Sequence, residues 1–168
     1  DRVMSLLSES VSRIEIYSID EAFLDYSGLR EPMEHAQNIR TQIMQYTSIP
    51  VSIGIAGTKT LAKVANRIAK KETSSGIVPL LCPDVIQNYL KTLPVSNLWG
   101  VGRQYACKLD MYGIRTAYEL INRSDRWIHR NMSIGGLKMV KELRGIPCFS
   151  LETSWRRKKS ICTSRTFK

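Results

Sequence analysis

The chain has 168 residues, 43% of them hydrophobic, and carries a formal net charge of +10, enough apolar material for a packed core and too much for a largely disordered chain. No apolar run approaches the roughly 18 residues of a membrane span, and no secretory signal opens the chain, so neither a membrane-spanning nor a secreted protein is expected. Residues 1–57 hold four Lys/Arg against eight Asp/Glu, a net −4, whereas residues 58–168 carry +14, a division that suits carboxylates holding cations in one place and cations gripping phosphates in another.

In chain order, Met4, Leu6, Leu7 and Val11 suggest the end of a helix. From Arg13 to Ser18, Ile14 and Ile16 alternate with Glu15 and Tyr17, which is strand periodicity. Ala22 to Tyr26 reads as a second strand, stopped by Ser27-Gly28, so Asp20 and Glu21 fall at or near the turn of a hairpin. Pro32 to Tyr46 is a predicted helix with an apolar stripe through Ala36, Ile39 and Ile43. Val51 to Ile55 follows as a short, largely buried strand. A helix over residues 60–70 buries Leu61, Val64, Ala65, Ile68 and Ala69, and leaves Lys59, Lys63, Arg67, Lys70 and Lys71 on the other surface. Ile77-Val78 is a strand, and Pro83 starts a helix through Leu90. The order ββαβαβα suggests an α+β layer with antiparallel pairing.

Beyond Leu93-Pro94 the character changes to short helical patterns punctuated by glycine, which marks a boundary. Leu98-Trp99-Gly100-Val101-Gly102-Arg103 joins a short helix near residues 94–98 to a second helix through Ala106 and Leu109. Glycines there let the backbone approach a phosphate, and the N–H groups at the start of the second helix would bind it without reading sequence. Arg103 and Lys108 add charge. Ser133 to Arg144 is a further helix stopped by Gly145. Trp155 to Lys159 is a charged linker to a last strand over residues 160–167. Asp1 at the start and Lys168 after a strand read as cuts inside a longer protein.

Adjacent carboxylates repel, and a divalent cation relieves that repulsion. Asp20 and Glu21 are therefore candidate metal ligands, although an Asp-Glu pair alone usually marks only a turn. Lys63 and Lys70, seven apart, share a helix face. Together with free N–H groups at that helix's start, they are candidates to neutralise a triphosphate. Cys82, Cys107, Cys148 and Cys162 lack CxxC or CxxH spacing, so reduced thiols are expected rather than a zinc site. His35 and His129 lack ligand-spaced partners and read as surface or satisfied histidines; Trp99 and Trp127 read as packing residues.

Taken in order, Tyr17-Ser18-Ile19-Asp20-Glu21-Ala22-Phe23-Leu24-Asp25, Val51 to Ala56, Lys59 to Ala65, Ala69-Lys70 and Leu98 to Gly102 resemble the motifs of Y-family translesion DNA polymerases. Trp99 to Arg103, Glu142 to Cys148 and Ile161 to Phe167 point to the UmuC type. The resemblance implies a partial polymerase palm over residues 1–92, a mixed sheet with packed helices. A small all-α thumb with a helix-hairpin-helix would follow over residues 93–155, and a linker with the first strand of a little finger over 156–168.

It further implies addition of dNTPs to a primer 3′ end with two Mg²⁺ ions, in the DNA damage (SOS) response. Asp20 and Glu21 would be catalytic residues and metal ligands, and Lys70 and Lys63 would bind the dNTP triphosphate. Gly100, Val101, Gly102, Arg103 and Lys108 would bind DNA. The third carboxylate of such a site would come from a strand preceding Asp1, so the fragment alone should be inactive. Implied partners are primer-template DNA, dNTP, a processed UmuD-type dimer and a RecA-type filament, in the cytoplasm and away from membranes. The alternative is a non-catalytic helix-hairpin-helix DNA-binding adaptor, against which the intact acid pair argues.

Overall fold

The computed structural model describes residues 2–152; the linker and strand expected after residue 155 lie outside them. Helix α1 (Arg2–Ser10) leads into β1 (Ile14–Ile16) and β2 (Ala22–Leu24), which pair antiparallel with Ile14 opposite Leu24 and Ile16 opposite Ala22. Helix α2 (Pro32–Thr47) starts with Pro32 in its first turn, where a missing N–H costs nothing. It buries Ala36, Ile39 and Ile43, the predicted stripe. His35 on this helix lies 3.0 Å from the Ser10 carbonyl through Nε2 and so ties α1 to α2. Its Nδ1 is buried without a hydrogen-bond partner among the described residues, so only half of this histidine is satisfied.

β3 (Ile53–Ala56), α3 (Lys59–Glu72) and β4 (Ile77–Leu80) form a unit in which the two strands run parallel, Ile53 beside Ile77. The expectation of antiparallel pairing is corrected here. A helix between two strands carries the chain back to its starting end, so the second strand runs the same way as the first. Parallel and antiparallel pairing are thus both present, but as two separate two-stranded sheets among the described residues. The face of α3 predicted to be apolar is buried at Leu61, Val64, Ala65, Ile68 and Ala69.

α4 (Pro83–Thr92) is followed by one 3-10 turn at Val95–Asn97, shorter than the helix expected there. Then come α5 (Arg103–Met111), α6 (Ala117–Ile121) and α7 (Asp125–Leu143). α6 opens with a capping box between Thr116 and Glu119. Helix α7 begins eight residues before the predicted start at Ser133. Ser133 is nonetheless a real break, with φ 65° and ψ −179°, a region that favours glycine. The break releases backbone carbonyls from the helix ladder, and α5 meets two of them. Lys108 Nζ donates to the Asn131 carbonyl at 2.8 Å and Tyr105 Oη donates to that of Met132 at 3.2 Å.

The main core runs without interruption from α3 and β4 through Leu90, Val95, Leu98, Val101 and Leu109 to Ile128, Val140 and Leu143. The composition change near residue 93 therefore coincides with no gap in packing. Among the described residues, no helix is long and apolar enough to cross a membrane.

Candidate active site

The turn between β1 and β2 is held by one carbonyl. The N–H groups of Tyr17 and Ser18 both donate to the Glu21 oxygen, at 2.9 and 3.0 Å. This closes residues 17–21 into a tight loop and breaks the alternation that would send neighbouring side chains to opposite faces. Asp20 and Glu21 thus stand together on the turn, the first exposed and the second half-exposed. The Ser18 hydroxyl donates to Asp20 Oδ1 at 2.6 Å. This bond, aided by the positive charges of Lys70 and Lys63, holds the Asp20 carboxyl below the usual carboxylate range. Asp20 therefore keeps its negative charge to lower pH than an unperturbed carboxylate does.

Helix α3 supplies the cations. Lys63 Nζ lies 2.6 Å from Glu21 Oε2 and sits over the rings of Tyr17, Phe23 and Trp99 at 4.6, 5.6 and 5.7 Å from their centroids. Lys70, nearly two turns further on, is exposed and close enough for its charge to act on Asp20. Sequence reasoning did not assign Lys59 a partner. It forms an ion pair with Glu15 of β1 and donates to the Ser150 carbonyl at 2.8 Å. Asp25 pairs with Arg13 at 3.3 Å and accepts from the Ser27 N–H, a structural role away from the turn.

The start of α3 departs from expectation. Its N–H groups are not open to a phosphate: Thr58 Oγ1 accepts from Leu61 N, and Glu142 Oε2 accepts from Thr60 N at 2.8 Å. Thr58, Thr60 and Glu142 are all buried. An internal carboxylate from α7 already occupies the anion position at this helix terminus. Sequence reasoning gave Glu142 no role. The available signal was an acid among Met139, Val140 and Leu143, all on the buried side of a helix.

A cleft of about 650 Å³ opens beside the acid pair. Its lining includes Ala22 to Tyr26, Ile53 to Ala56, and Lys63 and Asn66 of α3. Burial in this region pushes the Tyr26 hydroxyl up to about 12. β2 and β3 both line the cleft and belong to separate sheets.

At the second predicted site, Gly100 has φ 84°, a left-handed value that a side chain would strain. Gly102 begins α5 with no side-chain cap, and a Cβ added at either glycine would meet nothing within 4 Å. Backbone there is open to an approaching phosphate. Val101 between them is buried and pins the turn to the core, and its N–H is already donated to the Leu98 carbonyl at 3.1 Å, so the expectation that Val101 offers a phosphate donor is corrected here. Arg103 and Gln104 are exposed on the first turn of α5. Lys108 points to the α7 break instead, and the structure does not bring it to the hairpin. Trp99 packs edge-on to Tyr17 and Phe149 at 5.4 and 5.6 Å. It donates from Nε1 to Tyr17 Oη at 3.0 Å, which joins the hairpin to the acid turn.

Comparison with known proteins accords with this layout. The model of the impB/mucB/samB family matches residues 1–67, and that of the IMS family HHH motif matches residues 83–114. The chain is 42% identical to Protein UmuC of Salmonella typhimurium over 172 aligned residues, covering 99% of this chain and 41% of the relative. A DinB family error prone DNA polymerase from Sulfolobus solfataricus superposes with a TM-score of 0.73 at 27% identity, over 90% of this chain and 46% of that one. A Y-family DNA polymerase chimera gives a TM-score of 0.74 at 26% identity, over 92% and 46%. The chain spans about two fifths of the length of the curated relatives it matches. It belongs to the impB/mucB/samB family, as a UmuC-type member of the Y-family DNA polymerases.

Proposed function

We propose that, within a chain of its relatives' length, this segment is the nucleotidyl-transfer and DNA-gripping part of an error-prone translesion DNA polymerase acting in the DNA damage (SOS) response. The observation that carries the reading is the Asp20–Glu21 turn facing Lys63 and Lys70 of α3, with the open glycine turn of residues 100–102 joined to it through Trp99 and Tyr17. A binding adaptor needs the second feature but not the first.

The donor set suits magnesium in part. Two carboxylates are hard oxygen ligands, and Mg²⁺ commonly takes one or two carboxylates and completes its shell with water and substrate phosphates. Asp20 is open for this, while Glu21 is shared with Lys63. Among the described residues no group of three or more His, Cys, Asp or Glu stands together to hold an ion. A third carboxylate belongs, on this reading, to a further strand seated in the cleft between β2 and β3. Bound there, two Mg²⁺ ions would activate the primer 3′ oxygen and stabilise charge on the leaving pyrophosphate. The chain's own groups do the rest. Lys63 and Lys70 neutralise the triphosphate of a dNTP, and the open backbone at Gly100 and Gly102 with Arg103 holds a DNA phosphate. By the UmuC resemblance we also propose a processed UmuD-type dimer and a RecA-type filament as partners and a cytoplasmic place of action.

The test compares two chains on a primer-template with dNTP and Mg²⁺. The chain extended to its relatives' length should lengthen the primer, and the 168 residues alone should not. Failure of the extended chain removes the enzyme reading; steady extension by the short chain removes the need for another ligand. DNA binding is tested separately. Arg103→Ala should weaken affinity alike for all sequences and reduce the slope of log K against log salt by about one. Lys108→Ala should leave that slope unchanged and lower stability, because its ammonium serves the Asn131 carbonyl. A sequence-selective loss for Arg103→Ala would contradict the phosphate grip.

A further inference from the structure

Glu142 is a charged side chain with 0% of its surface exposed. Its carboxylate accepts four hydrogen bonds from two stretches of chain distant from it in sequence or across a turn. Oε2 takes Thr60 N and Thr60 Oγ1, both at 2.8 Å, and Oε1 takes Cys148 N at 3.1 Å and Phe149 N at 2.9 Å. Its carbonyl takes Thr58 Oγ1 at 2.9 Å. All these donors are neutral. A buried carboxylate without a cationic partner persists only where hydrogen bonds replace the water it lost. Here the positive end of the α3 dipole adds to them. An apolar residue of similar size would be the simpler way to fill such a space, so what the carboxylate adds is directionality: it joins α3, α7 and residues 148–149 in one arrangement.

The consequences reach both proposed sites. Fixing the Phe149 N–H sets its ring against Trp99, the residue just before the glycine turn. Trp99 packs on Tyr17 and Phe23, at 5.4 and 5.9 Å, on either side of the acid turn. The same stretch brings the Ser150 carbonyl to Lys59 and Glu152 N to Glu15 Oε2 at 2.7 Å, which anchors β1.

We propose that Glu142 is a positioning residue that sets the hairpin of residues 100–103 relative to Asp20 and Glu21, so that a DNA strand held at one is delivered to the other. This rests on the polymerase reading. The test uses Glu142→Gln in the chain of relatives' length, because glutamine keeps the shape but turns an NH₂ toward donors. Single-turnover addition of one nucleotide to pre-bound primer-template separates rate constant from amplitude. The expected result is a rate constant at least tenfold lower with primer-template Kd within threefold of the parent. A loss of amplitude alone, at an unchanged rate constant, would show a merely structural role and overturn the proposal. If the variant does not fold, Thr60→Val, which removes one donor, should lower the rate constant by about threefold, and no change overturns the proposal.

A second measurement needs no catalysis. Spin labels at Ile19→Cys and Gln104→Cys, with the native cysteines changed to serine, should give a narrow distance distribution that Glu142→Gln broadens. An unchanged distribution overturns the proposal even where extension fails for other reasons. Failure of extension in the parent with broadening in the variant instead removes the polymerase reading and leaves Glu142 as the organiser of the two sites.

Discussion

Asp20→Ala, in a chain of its relatives' length, should cut primer extension by about 10³-fold or more while leaving primer-template affinity within about twofold. The size follows from metal-ion catalysis. Loss of a metal ligand would forfeit several kcal/mol of charge stabilisation in the transition state, and each 1.36 kcal/mol is about tenfold in rate. The selectivity follows from position. Asp20 is exposed on the turn, and its side chain contacts Ser18 rather than the core, so the fold does not depend on it. Its removal also takes negative charge away from a surface that would face phosphates. Glu21→Ala differs, because Glu21 neutralises Lys63 at 2.6 Å. It should slow the reaction and at the same time tighten the hold on dNTP, as a released ammonium gains a phosphate to face. Rapid-quench extension assays beside equilibrium DNA binding separate these effects. Undiminished extension by Asp20→Ala would exclude the carboxylate from catalysis, and a matching loss of DNA affinity would mean that it supports the grip rather than the reaction.

The acid turn was legible because it is local. Ile14 and Ile16 alternate, Ala22 to Leu24 is apolar, and a hairpin needs only those few residues to bring Asp20 and Glu21 to its end. The buried face of α3 was legible for the same reason, since a 3.6-residue period sorts Leu61, Val64, Ala65, Ile68 and Ala69 from the lysines whatever else the chain does. The misread features depend on contacts that no short window contains. Glu142 meets Thr60 across 82 positions, so the apparently open start of α3 was already filled. Lys108 looked like a second DNA cation beside Arg103. The Asn131 carbonyl it serves lies beside the break that Ser133 makes in α7, 25 residues later than Lys108. The parallel run of β3 and β4 was implicit in a strand–helix–strand order with short connections, a cue that the preceding hairpin obscured. Local pattern thus placed the acid turn and the lysine face, and tertiary contact decided which polar groups already have partners.

Gly54→Ala should be the most damaging single methyl in the protein. A Cβ at Gly54 would lie 2.2 Å from Asn66 N, 2.4 Å from the Ala62 oxygen and 2.7 Å from the Ala65 carbonyl carbon. All three are backbone atoms of α3, so no side chain can swing aside to make room. The only relief is to move α3 away from β3. That shift opens the contact that buries Leu61, Val64 and Ala65 against the core. Overpacking of this kind costs roughly 3 kcal/mol at the upper end of its usual range. For a domain of this size the loss corresponds to a fall in Tm of roughly 6–12 °C. The functional loss should exceed what the remaining folded fraction explains, because Lys63 and Lys70 ride on α3 and would leave Glu21 and Asp20 together with it. Gly57→Ala is the control. It lies three residues away, with nothing within 4 Å of an added Cβ and no left-handed φ, and should change stability by less than about 0.5 kcal/mol. Urea and thermal unfolding of the two variants beside the parent chain measure the difference. Equal stability of Gly54→Ala and Gly57→Ala would mean that α3 does not rest on the β3 backbone, and the placement of the lysines against the acid turn would have to be drawn differently.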